Sequence, residues 1–166
     1  MSKIRIAGIV TGVVFLGAVL IWAFTAPYLS NQGLGRLPGI YIGGTPTPAP
    51  ESFVPLNDTV QGPVMMKQAG FPPFVSYLLW VGTPDGVITA TRPDGGRWAR
   101  RARENGDGWL RLGDATYTMR AMEITGPERL EMMELWAAEA GRSLDEPLYE
   151  GSEPLREWEV FFWVPR

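Results

Sequence analysis

The chain has 166 residues, with 15 lysines and arginines against 18 aspartates and glutamates for a net charge of −3, and it contains no histidine and no cysteine. Disulfides, a thiol nucleophile, an imidazole base and the usual zinc ligands are thereby excluded. The acidic balance argues against nucleic acid as a partner.

Residues 6–26 carry no charge and follow Lys3 and Arg5. At about 1.5 Å of rise per residue the run measures roughly 30 Å, the thickness of a bilayer's hydrocarbon core. It is longer than the apolar core of a cleavable signal peptide, and Pro27 follows where a cut would fall. The expectation is a single transmembrane helix over residues 6–26 behind a cytoplasmic segment of residues 1–5. No charge follows the run before Arg36, so the amino terminus is expected inside and the remainder in the periplasm, anchored in the inner membrane. Trp22 and Tyr28 stand where the outer bilayer interface is expected.

Residues 27–58 form a connector punctuated by glycine and proline, which excludes a long helix or a regular strand. A solvated linker is polar, yet this one carries Leu34, Leu37, Ile40, Tyr41, Ile42 and Phe53 with few charges. Two destinations account for such side chains. The segment folds back on its own domain, or it lies along a partner protein with those six residues as anchors.

Residues 59–166 suit one small domain. Strands are expected over residues 60–67, 74–81 and 86–91, with a turn at residues 83–86. Asp94 can cap a short helix carrying Arg97, Trp98 and Arg101, ended by Asn105-Gly106. Residues 108–112 and 115–124 read as a hairpin about Gly113-Asp114. Thr125 and Glu128 form a capping box opening a second helix, whose apolar face includes Leu130, Met133, Trp136, Ala137 and Ala140 before Gly141 stops it. A last strand covers residues 158–164. The fold class expected is a single transmembrane helix plus a β-rich α+β domain, a small antiparallel barrel with two peripheral helices.

The order Thr91-Arg92-Pro93, Arg97-Trp98, Asn105, the strand pair at residues 109–113 and 116–121, then residues 125–129 and a closing strand at 158–165, resembles the split-barrel flavin-binding superfamily. It is most similar to the deazaflavin-dependent nitroreductase branch, over residues 75–166. The resemblance implies a split barrel with a flavin or deazaflavin cofactor, for which Arg92, Arg97, Trp98 and Arg101 are the candidate binding residues. The branch's Gly-Arg-Lys-Ser-Gly-like phosphate turn has no counterpart: residues 67–70 and 83–86 read Lys-Gln-Ala-Gly and Thr-Pro-Asp-Gly.

The arginines at 92, 97, 100, 101 and 103 form the one basic cluster; as a solvated helix face they would be partly neutralised by Asp94, Glu104 and Asp107. The acids at 128, 131, 134 and 139, and those at 145, 146, 150 and 153, read as solvated faces rather than metal sites. Two functions follow. The first is a non-catalytic, membrane-anchored accessory subunit without cofactor, docked on a larger integral-membrane complex such as a photosynthetic reaction centre with its antenna or a respiratory complex. The alternative is a membrane-tethered oxidoreductase using a flavin or deazaflavin.

Overall fold

Alternation of apolar and polar side chains builds the barrel. In the computed structural model, which describes residues 3–31, 40–71, 73–93 and 97–166, strand β2 (Val64–Gln68) buries Val64, Met66 and Gln68 on one face. Strands β6 (Asp107–Leu112) and β7 (Ala115–Ile124) do the same with Leu110, Leu112, Tyr117, Met119 and Ala121. These two form the expected hairpin, and Gly113 turns it with φ of 60°.

Strands β3 (Val75–Leu78), β4 (Trp80–Gly82), β5 (Val87–Thr91) and β8 (Glu159–Pro165) complete the path β3-β2-β6-β7-β8-β5-β4. Its two outer strands, β3 and β4, are separated in sequence by Leu79 alone, so the sheet curls into a nearly closed antiparallel barrel. The strand expected over residues 74–81 is therefore two strands, broken at Leu79 where the chain passes from one edge to the other.

Phe53, Met66, Leu110, Met119, Phe161 and Trp163 fill the interior. The Trp163 indole N–H donates to the buried Thr89 hydroxyl at 3.0 Å, so its one polar group is satisfied. Outside, Ile88, Ala90 and Val160 meet helix α4 (Pro127–Glu139) through Met133, Trp136 and Ala137. β5 and β8 are thus covered on both faces. The Arg142 N–H reaches back to the Ala137 carbonyl at 2.9 Å and Gly141 takes φ of 65°, which ends α4 at the expected glycine. The expected capping box does not form: Gly126 is the N-cap and no side chain caps the helix. Leu130, expected on the apolar face, is exposed.

The barrel begins earlier in the chain than residue 59. β1 (Thr45–Pro46) pairs in parallel with β7, at Thr45–Ala115 and Pro46–Thr116, extending the edge that β8 leaves at Pro165. Phe53 is 1% exposed and meets Tyr117 edge-on at 5.5 Å. Helix α2 (Val54–Thr59) follows, and the Asn57 amide exchanges two hydrogen bonds with the Gly82 backbone, at 2.9 and 2.7 Å. A side chain at position 82 would strike the Phe53 carbonyl at 2.3 Å, so glycine is what lets the segment dock. Burying Phe53 contributes about 1.5–3 kcal/mol.

Helix α1 (Lys3–Asn31) carries the apolar run. Its side chains are described over residues 5–21, about 25 Å of rise, interrupted by Gly8, Gly12 and Gly17. No helix among the described residues is long and apolar enough to cross a membrane. This overturns the expected single-pass anchor over residues 6–26 and the inner-membrane location drawn from it. Trp22 and Tyr28 belong to α1, but their side chains lie outside the described residues.

Candidate functional site

Helix α3 (Arg97–Glu104) rests on the barrel through two small residues, Ala99 and Ala102. Three residues apart, they share one face, and their size lets the backbone approach closely. The large side chains are consequently displaced to the flanks and the outer surface. Trp98 leans on Phe161 with ring centroids 4.9 Å apart, and its carbonyl accepts a hydrogen bond from the buried Gln68 amide at 2.9 Å. Arg101 donates to the Ala69 carbonyl at 2.9 Å. The Arg97 guanidinium lies 5.4 Å from the centre of the Phe74 ring, within cation–π range.

These contacts frame a hollow of about 280 Å³ lined by Gln68, Phe74, Ser76, Arg97, Trp98 and Arg101. A second hollow of about 330 Å³ adjoins it, sharing Arg97 and Arg101 and adding Phe71, Arg100 and Glu104. Phe71 is 92% exposed. Of the four candidate cofactor residues, the structure brings together Arg97, Trp98 and Arg101; Arg92 is exposed beyond the end of β5 and lines neither hollow.

Arg103 leaves the cluster. It binds Glu123 through two bonds of 2.7 and 2.5 Å and Glu159 at 2.9 Å, with its guanidinium 5.5 Å from the Phe161 ring centre. The hydrogen bond from Arg103 holds the Glu123 carboxyl below its ordinary range, and the Arg103 pKa is raised in return. Asp107, expected to neutralise the helix, pairs with Arg120 at 2.9 Å and with Arg166, and the Arg120 hydrogen bond draws its pKa down. Asp94 lies outside the described residues. In the acidic loop, Asp145 pairs with Arg156, and Glu146 accepts the Ser143 N–H at 2.8 Å, which lowers its pKa. Among the described residues no group of acids could hold a metal ion.

The connector is fixed to its own barrel where it is described. The Ile42 carbonyl accepts from Arg111 at 3.1 Å, the Gly43 carbonyl from the Thr116 hydroxyl at 2.8 Å, and the Thr45 N–H donates to the Asp114 carbonyl at 2.7 Å. Ile40 and Ile42 are half-buried and Tyr41 is exposed. Tyr41 and Ile42 wall a cleft of about 290 Å³ against Lys67 and Trp109. Phe53 is corrected from partner anchor to core residue, because the barrel interior already holds it. Leu34 and Leu37 lie outside the described residues.

A flavin phosphate needs free backbone amides or a basic cradle. In the turn at residues 83–86, the Thr83 N–H donates to the Gly86 carbonyl at 2.8 Å and the Gly86 N–H to the Thr83 hydroxyl at 3.1 Å, so both are spent. In the other stretch, the Ala69 N–H is bound to the Asp107 carbonyl at 2.8 Å, and Lys67 lines the cleft beside Tyr41 instead of the hollow beside Trp98. Neither turn supplies a cradle of free amides, and the basic side chains beside the hollow are Arg97, Arg100 and Arg101.

No protein-family model matches the chain, and no curated protein matches it.

Sequence reasoning missed Gln68, Phe71 and Phe74. Gln68 was open to it, because Val64 and Met66 already assign its parity in β2 to the interior, and a buried amide there needs a partner.

Proposed function

We propose that the protein is a non-catalytic accessory subunit of a larger protein complex, with α1 as its docking element and the barrel as the folded body it brings. The observation that carries this is the surface of α1. Ile6, Ile9, Val10, Val13, Val14, Phe15, Leu16, Val19, Leu20 and Ile21 are each between 39% and 71% exposed. Four of them, at 13–16, are consecutive and pass fully round the helix. A helix that is apolar on every side is stable when surrounded, and the apolar side chains of a partner protein supply that surrounding.

The chemistry of the barrel supports a structural part. With no histidine or cysteine, acid–base work would fall to perturbed carboxylates. The pKa values of Asp107 and Glu123 are lowered by hydrogen-bonded arginines and that of Glu146 by the Ser143 N–H, the pattern of groups that hold structure together. The oxidoreductase reading has the Arg97–Trp98–Arg101 hollow in its favour and the missing phosphate-binding turn against it.

Phe15→Asp combined with Leu16→Asp tests the proposal. Recovery of the chain in a high-mass complex falls at least 10-fold, while the barrel's unfolding midpoint stays within about 2 °C, the shift of less than 1 kcal/mol for a chain this long. A chain that runs as a monomer both before and after substitution contradicts it.

A further inference from the structure

Three guanidiniums and two phenyl rings crowd one small area of an otherwise acidic body. Arg97, Arg100 and Arg101 line the pair of adjoining hollows, where Glu104 is the only carboxylate among the described residues. Arg100 is exposed and makes no ion pair among the described residues. Phe71 stands almost wholly in solvent at the rim, while Phe74 and Trp98 wall the deeper hollow. Arginine and aromatic side chains around a pocket are the composition of interface hot spots.

Size and layout select the occupant. The deeper hollow, about 280 Å³, falls just below the roughly 300–1,000 Å³ of pockets that enclose drug-sized molecules. It accommodates one large apolar side chain between Phe74 and Trp98. The charge continues past it into the second hollow, where Arg100 joins Arg97 and Arg101 beside Phe71. An extended segment with an apolar side chain and flanking carboxylates covers both hollows and buries Phe71.

We propose that this face is a second docking surface, which takes an acidic segment of a partner protein: one large apolar side chain enters between Phe74 and Trp98, and its neighbouring carboxylates meet Arg97, Arg100 and Arg101. The inference rests on the accessory-subunit reading and names the chemistry of the partner.

Titration calorimetry on the full chain tests it with the peptide Glu-Asp-Glu-Phe-Asp-Glu-Leu-Glu. The expected dissociation constant is about 100 μM or tighter at low salt. Raising the salt to about 0.5 M weakens binding at least 10-fold, since exposed charges are screened. Phe71→Ser and the pair Arg97→Glu with Arg100→Glu each weaken it at least 10-fold with an unchanged unfolding midpoint. Should the pair fail to fold, Arg100→Glu alone, at an exposed site, carries the same test with at least 3-fold weakening. Equal binding of a peptide with lysine at every acidic position overturns the inference, as does no binding of the acidic peptide below 1 mM.

Three further outcomes overturn it in favour of another occupant. Flavin mononucleotide or inorganic phosphate binding as tightly as the peptide assigns the face to a small anion. Phe71-dependent sedimentation with phosphatidylserine vesicles assigns it to lipid, and self-association abolished by Arg97→Glu with Arg100→Glu assigns it to a second copy of the chain. Peptide failure with α1-dependent assembly intact defeats this inference alone; peptide binding without any high-mass complex defeats the accessory-subunit reading.

Discussion

Two of the helices packed on the barrel, α3 and α4, are attached in opposite ways. α4 sinks Met133, Trp136 and Ala137 into the outer face of the sheet, with the Trp136 ring tilted against Trp158 at a centroid distance of 5.7 Å and its indole N–H bound to the Leu79 carbonyl at 3.2 Å. Its solvent side carries Glu128, Glu131, Glu134 and Glu139, which make no ion pair among the described residues. α3 buries only Ala99 and Ala102 and is tied down by bonds such as Gln68 to the Trp98 carbonyl and Arg101 to the Ala69 carbonyl. Where large side chains anchor a helix, its outer face is left to solvation. Where alanines anchor it, the large side chains remain at the surface, and there they frame the hollows. The two helices thus divide large buried anchors and surface hollows between them within the same small domain.

Trp136→Ala should break the α4 side of this contrast most severely. It removes an aromatic anchor and its hydrogen bond, and equilibrium denaturation is expected to show a loss of about 3–5 kcal/mol. A loss below 1 kcal/mol would mean that α4 is only loosely held. On the α3 side the sensitive change is enlargement: Ala99→Leu forces the helix away from the sheet and is expected to cost about 1–3 kcal/mol in the same measurement.

The smallest effect concerns the ion pair that draws Arg103 out of the α3 cluster. Because Arg103 lowers the folded-state pKa of Glu123, the pair stabilises the fold above the ordinary glutamate value of 4.5 and loses that contribution as pH falls through the lowered value. The stability difference between the native chain and Glu123→Gln should be fully present at pH 7 and shrink below about pH 4.5. A difference independent of pH would show that the carboxylate's charge is not what Arg103 recognises.

What could be read from residues alone was what local chemistry decides. Gly113-Asp114 between two alternating runs gave the hairpin, and Gly141 the end of α4. Contacts between distant segments were not legible. Phe53 sits among prolines that mark a linker, and its burial depends on Asn57 meeting Gly82, a glycine whose lack of a side chain matters only once the two segments touch. Gln68 and Phe74 join the site because they meet the Trp98 carbonyl and the Arg97 guanidinium of α3, and Arg103 departs because Glu123 and Glu159 arrive from β7 and β8. The uncharged run was correctly legible as an apolar helix, whereas its expected passage through a membrane was overturned.

If the chain works as part of a larger assembly, its native mass after gentle extraction from the cells that make it is that of a particle far above the 18.4 kDa of the single chain, containing other proteins in fixed ratio and showing no flavin absorbance assignable to this subunit. A stable 18.4 kDa monomer, above all one carrying a flavin, would contradict it.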